Sequence, residues 1–77
     1  MALTDEQIEM MKEDLSAELI ELLMKDWHYS QIEALEVLYN SDTFDRLQDK
    51  RTGWYYQSAG YVYSFLQQEL TMGDYRQ

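Results

Sequence analysis

The stretch "TDEQIEMMKEDLSAELIELLMKD", residues 4–26, decides the fold because it carries a sustained helical pattern near the start of a 77-residue chain. Gln7 follows Thr4 at the spacing of a capping box, in which each side chain accepts a hydrogen bond from the other residue's backbone amide. Apolar residues then recur at three- and four-residue steps, as in an amphipathic helix: Ile8, Met11, Leu15, Leu19, Leu22 and Leu23. We predict one helix over about 5–26, with a break near residues 14–16 as an alternative because Asp or Ser there could cap a new helix.

Two shorter helical segments are predicted next. Ser30 is a natural N-cap for a second helix that ends at Asn40 and Ser41. Its apolar positions are Ile32, Leu35, Val37 and Leu38. Ser41 or Asp42 can then cap a third segment, "TFDRLQDKR", for which Gly53 supplies a left-handed stop.

The stretch "WYYQSAGYVYSF", residues 54–65, has both strand propensity and helical spacing. We favour a helix from Ser58 to about Leu70, because the pattern continues into the good helix formers "LQQEL". "WYYQ" then forms a turn or a brief extended segment. With no proline and no linker-like tract, the chain is predicted to be a single all-α domain over 1–77. The expected architecture is a compact bundle of three to four helices, one long N-terminal amphipathic helix plus short helices.

Residues 30–70 resemble a group of small uncharacterised bacterial helical proteins. The resemblance is carried by "ALEVLYNSDTFDRL", by Thr52 and Gly53 with the aromatic residues that follow, and by "YVYSFL". It implies a compact helical domain of unknown function, related to small helical partners encoded beside bacterial toxin-like proteins. It identifies no catalytic residue.

The acidic charge lies mostly in the first half of the chain. The net charge is −9, and residues 1–40 hold ten acids and two bases, whereas residues 41–77 hold five acids and four bases. A nucleic-acid backbone is repelled by such a surface, so we expect no binding through a basic face. The first 25 residues lack the basic start and apolar run of a secretory signal, and no stretch is long enough to span a membrane. We therefore expect a cytoplasmic protein.

Six aromatic side chains within residues 54–65 are too many for the core of so small a domain. We expect Phe65 and Trp54 to anchor the core, and Tyr55, Tyr56, Tyr61 and Tyr63 to form a half-exposed patch. The candidate interface is Trp54, Tyr55, Tyr56, Tyr61 and Tyr63. A purely structural core and a platform for stacking bases or ligands are the alternatives. The nearby bases Arg46, Lys50 and Arg51 alternate with aspartates, which indicates surface salt bridges rather than a basic groove.

Catalytic and metal-binding residues are sparse. His28 is the only histidine, there is no cysteine, and we interpret His28 as a loop residue between two helices. Carboxylate pairs at helical spacing, such as Glu9 with Glu13, lack the histidine partners of ferritin-like metal sites. We predict no enzyme activity, no metal and no cofactor.

The sequence therefore predicts a non-catalytic protein–protein interaction module. Its partner is a second copy of the chain, forming a homodimer, or another protein such as a toxin-like one. An acidic mimic of nucleic acid is one alternative, because of the charged first half. A helix–turn–helix regulator is another, from the outline of "SQIEALEVLYNSDTFDRLQDKR", although that segment lacks a net positive charge.

Overall fold

The structure is a computed structural model that describes residues 3–72. Its helices are α1 (Asp5–Trp27), α2 (Gln31–Tyr39), α3 (Asp42–Gln48) and α4 (Ala59–Met72). Two 3₁₀ turns, Lys50–Thr52 and Trp54–Tyr56, connect α3 to α4. The all-α prediction with one long N-terminal helix is confirmed, since residues 3–72 contain no strand. Within the same range, no helix has both the length and the apolar character needed to cross a lipid bilayer.

The start of α1 is the predicted capping box. The Gln7 amide donates to Thr4 Oγ1 at 3.1 Å, and the Thr4 amide donates to Gln7 Oε1 at 2.9 Å. The helix continues through residues 14–16 without the alternative break, and Leu15 lies on the same buried face as Leu19. It ends where His28 adopts a left-handed conformation with φ of 59°.

Serine caps begin α2 and α3. Ser30 forms a second capping box with Glu33, through distances of 3.2 Å and 2.8 Å. Ser41 Oγ accepts the Phe44 amide at 3.0 Å, so Ser41 rather than Asp42 is the cap of α3. The third helix stops at Gln48, and Gly53, with φ of 69°, ends the following 3₁₀ turn instead of α3 itself.

The ambiguous aromatic stretch is a 3₁₀ turn followed by a helix. Ser58 Oγ accepts the Tyr61 amide at 3.1 Å, and α4 runs on to Met72. The helical prediction is therefore confirmed. The extended alternative for "WYYQ" is wrong, because residues 54–56 form a turn closed by hydrogen bonds from the Tyr56 and Gln57 amides.

One hydrophobic core receives side chains from all four helices. Its buried members are Leu15, Leu19, Leu23, Ala34, Leu38, Leu47, Val62, Tyr63 and Leu66. Each fully buried leucine contributes about 1.5–3 kcal/mol relative to an exposed one. The prediction that Ile32 is part of the apolar face of α2 is wrong, because its side chain is 72% exposed and α2 instead buries Ala34 and Leu38.

Two buried charged side chains hold the ends of α3. Glu69 of α4 accepts the Asp42 amide at 2.8 Å, the Thr43 amide at 3.0 Å and the Thr43 hydroxyl at 2.8 Å. At the other end, Lys12 Nζ of α1 donates to the Gln48 carbonyl oxygen at 2.8 Å. A negative charge at a helix N-terminus and a positive charge at its C-terminus both complement the helix dipole. These contacts fix α3 between α1 and α4.

Candidate interface

The five residues predicted as an interface lie at three separate places. Trp54 contacts Tyr61, which is part of α4. Tyr55 and Tyr56 contact each other and lie against α1. Tyr63 is buried in the core. The structure therefore divides the predicted patch into two surface sites and one core residue.

The first site is an aromatic triad, which we define as Trp54, Tyr61 and Phe65. Tyr61 and Phe65 are four residues apart on α4 and so lie on one helical face, with ring centroids 5.2 Å apart. The second 3₁₀ turn places Trp54 against both, at 6.1 Å from Tyr61 and 4.8 Å from Phe65. The edge-to-face and tilted ring orientations are the favourable ones for aromatic pairs.

The aromatic triad is only partly covered by the rest of the chain. Tyr61 is 44% exposed, and Trp54 and Phe65 are half-buried. Trp54 packs against the core, as predicted, but the prediction that Phe65 is a core anchor is wrong because its ring contacts the other two members of the triad at the surface. The Arg46 guanidinium of α3 lies 5.9 Å from the centroid of the Trp54 ring, which permits a cation–π contact.

A groove of about 310 Å³ lies beside the triad, between α3 and α4. Phe65 and Met72 supply its apolar wall, and Met72 is 68% exposed. Arg46 and Gln68 line the polar side. The triad and this groove together form an exposed surface that combines aromatic, methionine and arginine side chains, a composition enriched at protein interfaces. Sequence reasoning missed Met72, Arg46 and the surface role of Phe65, although the spacing of Tyr61 and Phe65 indicated a shared face.

The second surface site is the pair Tyr55 and Tyr56, whose rings are 5.2 Å apart and nearly perpendicular, at 78°. Tyr56 is 61% exposed and Tyr55 is half-buried against the core. The left-handed Gly53 turns the chain so that the Tyr56 ring lies directly over it, where an added Cβ would be 3.1 Å from the Tyr56 oxygen. This pair and residues of α1 together line a groove of about 360 Å³.

Tyr63 is only 6% exposed, so the prediction that it belongs to a half-exposed patch is wrong. Its hydroxyl donates to Asp26 Oδ2 at 2.9 Å, and the Leu22 carbonyl oxygen is 3.3 Å away. Burial raises the pKa of Tyr63 to about 12, and the hydrogen bond to the Asp26 carboxylate acts in the same direction. Tyr63 therefore ties α4 to the C-terminal turns of α1 and is not available to a partner.

Two of the three bases near the aromatic stretch form surface ion pairs, but only Arg51 pairs with one of the aspartates that alternate with them, as predicted. Arg51 donates two side-chain hydrogen bonds to Asp49, at 3.0 Å and 2.9 Å, and these hold the pKa of Asp49 down at about 2. Lys50 pairs with Asp5 of α1 at 3.0 Å, which raises the pKa of the lysine. Arg46 instead lies over the Trp54 ring.

His28 is an exposed residue between α1 and α2, as predicted. Residues 3–72 contain no group of three or more His, Cys, Asp or Glu side chains placed to hold a metal ion.

Comparison with known proteins adds no relative: no family model matches the chain, and neither a curated protein nor a solved structure does. The resemblance of residues 30–70 to small bacterial proteins stays a prediction.

Proposed function

We propose that this chain is a non-catalytic protein–protein interaction module of the cytoplasm, and that the aromatic triad with Met72 is its contact surface. The observation that supports the proposal is that Trp54, Tyr61 and Phe65 contact one another at the surface, where Tyr61 is exposed and the other two are half-buried. Tryptophan, tyrosine and arginine are the residues most enriched among those that dominate binding energy. The triad offers the first two, and Arg46 lies at its edge.

A second copy of the chain is the partner to test first. A chain of this size without cysteine has few means of stabilisation, and self-association is one of them. In a symmetric dimer the same surface meets itself, so Tyr61 and Met72 of one copy would cover those of the other. A different protein, including the toxin-like partner that the resemblance suggests, is the other occupant.

The test is the solution mass at several concentrations, measured by light scattering for the wild type and for Tyr61→Ala. Ile32→Ala is the matched control, because it also removes an exposed apolar side chain, on α2. A dimer that Tyr61→Ala dissociates and Ile32→Ala leaves intact supports the homodimer. A monomer at every concentration contradicts the homodimer. In that case, capture of proteins from cell extract tests whether the triad binds a different protein. Equal capture by the wild type and by Tyr61→Ala would show that the triad is not the contact surface.

Mimicry of nucleic acid is a second candidate, favoured by the charge on α1. Eight exposed acids occupy this helix: Asp5, Glu6, Glu9, Glu13, Asp14, Glu18, Glu21 and Asp26. Such a helix presents a line of negative charge that a DNA-binding protein could accept in place of phosphates. Reversing the charge of Glu9 and Glu13 should abolish capture of a partner in this case, whereas Tyr61→Ala should not.

We do not propose that the chain itself binds DNA as a helix–turn–helix protein. In that arrangement α3 would be the recognition helix, and its exposed charged side chains, Asp45 and Arg46, cancel. A recognition helix approaches phosphates with an excess of positive charge.

A further inference from the structure

We propose that the groove between α1 and the second 3₁₀ turn binds a cationic side chain, arginine or lysine, from a basic segment of a partner protein. The groove is formed by Tyr55 and Tyr56 on one side and by Asp14 and Glu18 of α1 on the other. The inference rests on the proposed function in taking the chain to bind proteins, but it uses a surface separate from the aromatic triad.

The two tyrosines provide the aromatic half of the site. Both side chains line the groove, and their rings are nearly perpendicular, at 78°. Tyr56 is the more exposed of the two, and its ring is held in place over Gly53. A cation over the face of an aromatic ring is attracted by the negative charge of that face.

The two acids provide the charged half. Asp14 and Glu18 are four residues apart on α1, so their side chains lie on the same face of the helix. Both are exposed, and neither forms a hydrogen bond or an ion pair with another side chain within residues 3–72. Like charges at this spacing destabilise a helix by a few tenths of a kcal/mol. A cation in the groove would remove that repulsion.

The floor of the groove suits the aliphatic stem of arginine or lysine. Met11 and Leu15 of α1 also line the groove, with Leu15 buried and Met11 half-buried. Long basic side chains place their methylene groups along apolar surface and keep the charged end beside polar atoms. The volume of about 360 Å³ is at the lower end of the range for ligand pockets, which fits one side chain better than a cofactor.

Charge complementarity identifies a basic protein as the occupant, in preference to a second copy. The groove carries two acids on a chain with a net charge of −9, so the same groove on a second copy offers it no complementary charge. Three of its bases, Lys12, Lys50 and Arg51, are already paired with carboxylates of their own chain. A partner with a basic segment is attracted by the whole chain and held specifically by the groove.

The experiment uses a short fluorescein-labelled peptide rich in arginine, and a matched peptide in which citrulline replaces each arginine. Fluorescence anisotropy measures the affinity of both for the full chain. We expect the citrulline peptide to bind about tenfold more weakly. The double variant Asp14→Asn with Glu18→Gln should weaken arginine-peptide binding by about fivefold or more. Tyr56→Leu should weaken it by about threefold, whereas Tyr56→Phe keeps the ring and should bind like the wild type.

The control is the double variant Glu6→Gln with Glu36→Gln, which removes the same charge at exposed positions that do not line the groove. Equal weakening by the two double variants would overturn the inference, because binding would then reflect the net charge alone. Equal affinity for the arginine and citrulline peptides would also overturn it, as would no binding of the arginine peptide. Tyr61→Ala distinguishes the two proposals: if it dissociates a dimer while the arginine peptide fails to bind, the groove inference fails and the proposed function stands.

Discussion

Replacing Glu69 by alanine should destabilise the fold more than any other single change to a charged residue. The carboxylate accepts two backbone amides and one hydroxyl at the start of α3, and Glu69 is only 8% exposed. A single hydrogen bond to a charged group contributes about 1.5–3 kcal/mol. The three hydrogen bonds here share one carboxylate, so their contributions do not simply add. The Thr43 hydroxyl can reorient after the change, whereas the two amides lose their acceptor. We therefore expect a loss of about 2–4 kcal/mol in the free energy of unfolding.

That loss is large compared with the whole stability of such a chain. At about 0.05–0.15 kcal/mol per residue, a chain of 77 residues has roughly 4–12 kcal/mol. Urea unfolding followed by circular dichroism is the assay, and with a slope of about 1 kcal/mol per molar the midpoint should fall by about 2–4 M. Gln68→Ala is the control, because Gln68 is the exposed neighbour and both residue types favour helix. It should move the midpoint by less than about 0.5 M.

A double-mutant cycle with Thr43→Val tests the mechanism. Valine removes the hydroxyl donor to Glu69, so it should cost about 1 kcal/mol in the wild type and much less when Glu69 is already alanine. If Glu69→Ala unfolds within about 0.5 kcal/mol of the wild type, the carboxylate does not stabilise α3 and the reasoning is refuted. A large loss without coupling to Thr43 would show that the hydroxyl contributes little and would assign the effect to the two amides.

Three further predictions concern other buried or strained positions. Lys12→Met should lower the free energy of unfolding by about 1–3 kcal/mol in the same urea assay, because the Gln48 carbonyl loses its donor. Lys25→Met, at an exposed position of α1, is the control and should lower it by less than about 0.5 kcal/mol. Tyr63 in the unfolded chain loses its proton near its ordinary pKa of 10.0, below the folded value of about 12, so its contribution is complete below pH 10 and falls as the pH rises toward 12. The stability advantage of wild type over Tyr63→Phe should therefore shrink by about 1.4 kcal/mol between roughly pH 9 and pH 11, and a constant difference would contradict the raised pKa. Gly53→Ala should lower the free energy of unfolding by about 1–2 kcal/mol, because φ is +69° at this position. Gly60→Ala should raise it by about 0.5–1 kcal/mol, because an added methyl group on α4 meets open space. Thermal unfolding measures both changes, and shifts in the same direction would contradict the prediction.

The starts of the first three helices were predictable because their signals are local. The caps Thr4, Ser30 and Ser41 each accept an amide three residues away, so a short window of sequence contains both partners. The charged contacts that hold α3 were not predictable in this way. Lys12 and Gln48 are 36 residues apart, and Glu69 and Thr43 are 26 apart, so their pairing depends on how whole helices pack.

The wrong prediction for Tyr63 has a different cause. Residue type suggested a tyrosine at the surface, but Tyr63, Leu66 and Leu70 follow one another at three- and four-residue steps and so share a face of α4. Once α4 was taken as a helix, that spacing placed Tyr63 on the buried side. The division of the remaining aromatics between two surfaces depends on the left-handed turn at Gly53, which spacing alone does not reveal.

The way α3 is held has a consequence for its independence as a structural unit. Its first two amides and its last carbonyl find their partners on α4 and α1, so α3 by itself lacks both contacts. A helix of seven residues is too short to persist alone in water. Loosening of either neighbouring helix should therefore release α3 as well, so that the three elements open as one cooperative unit.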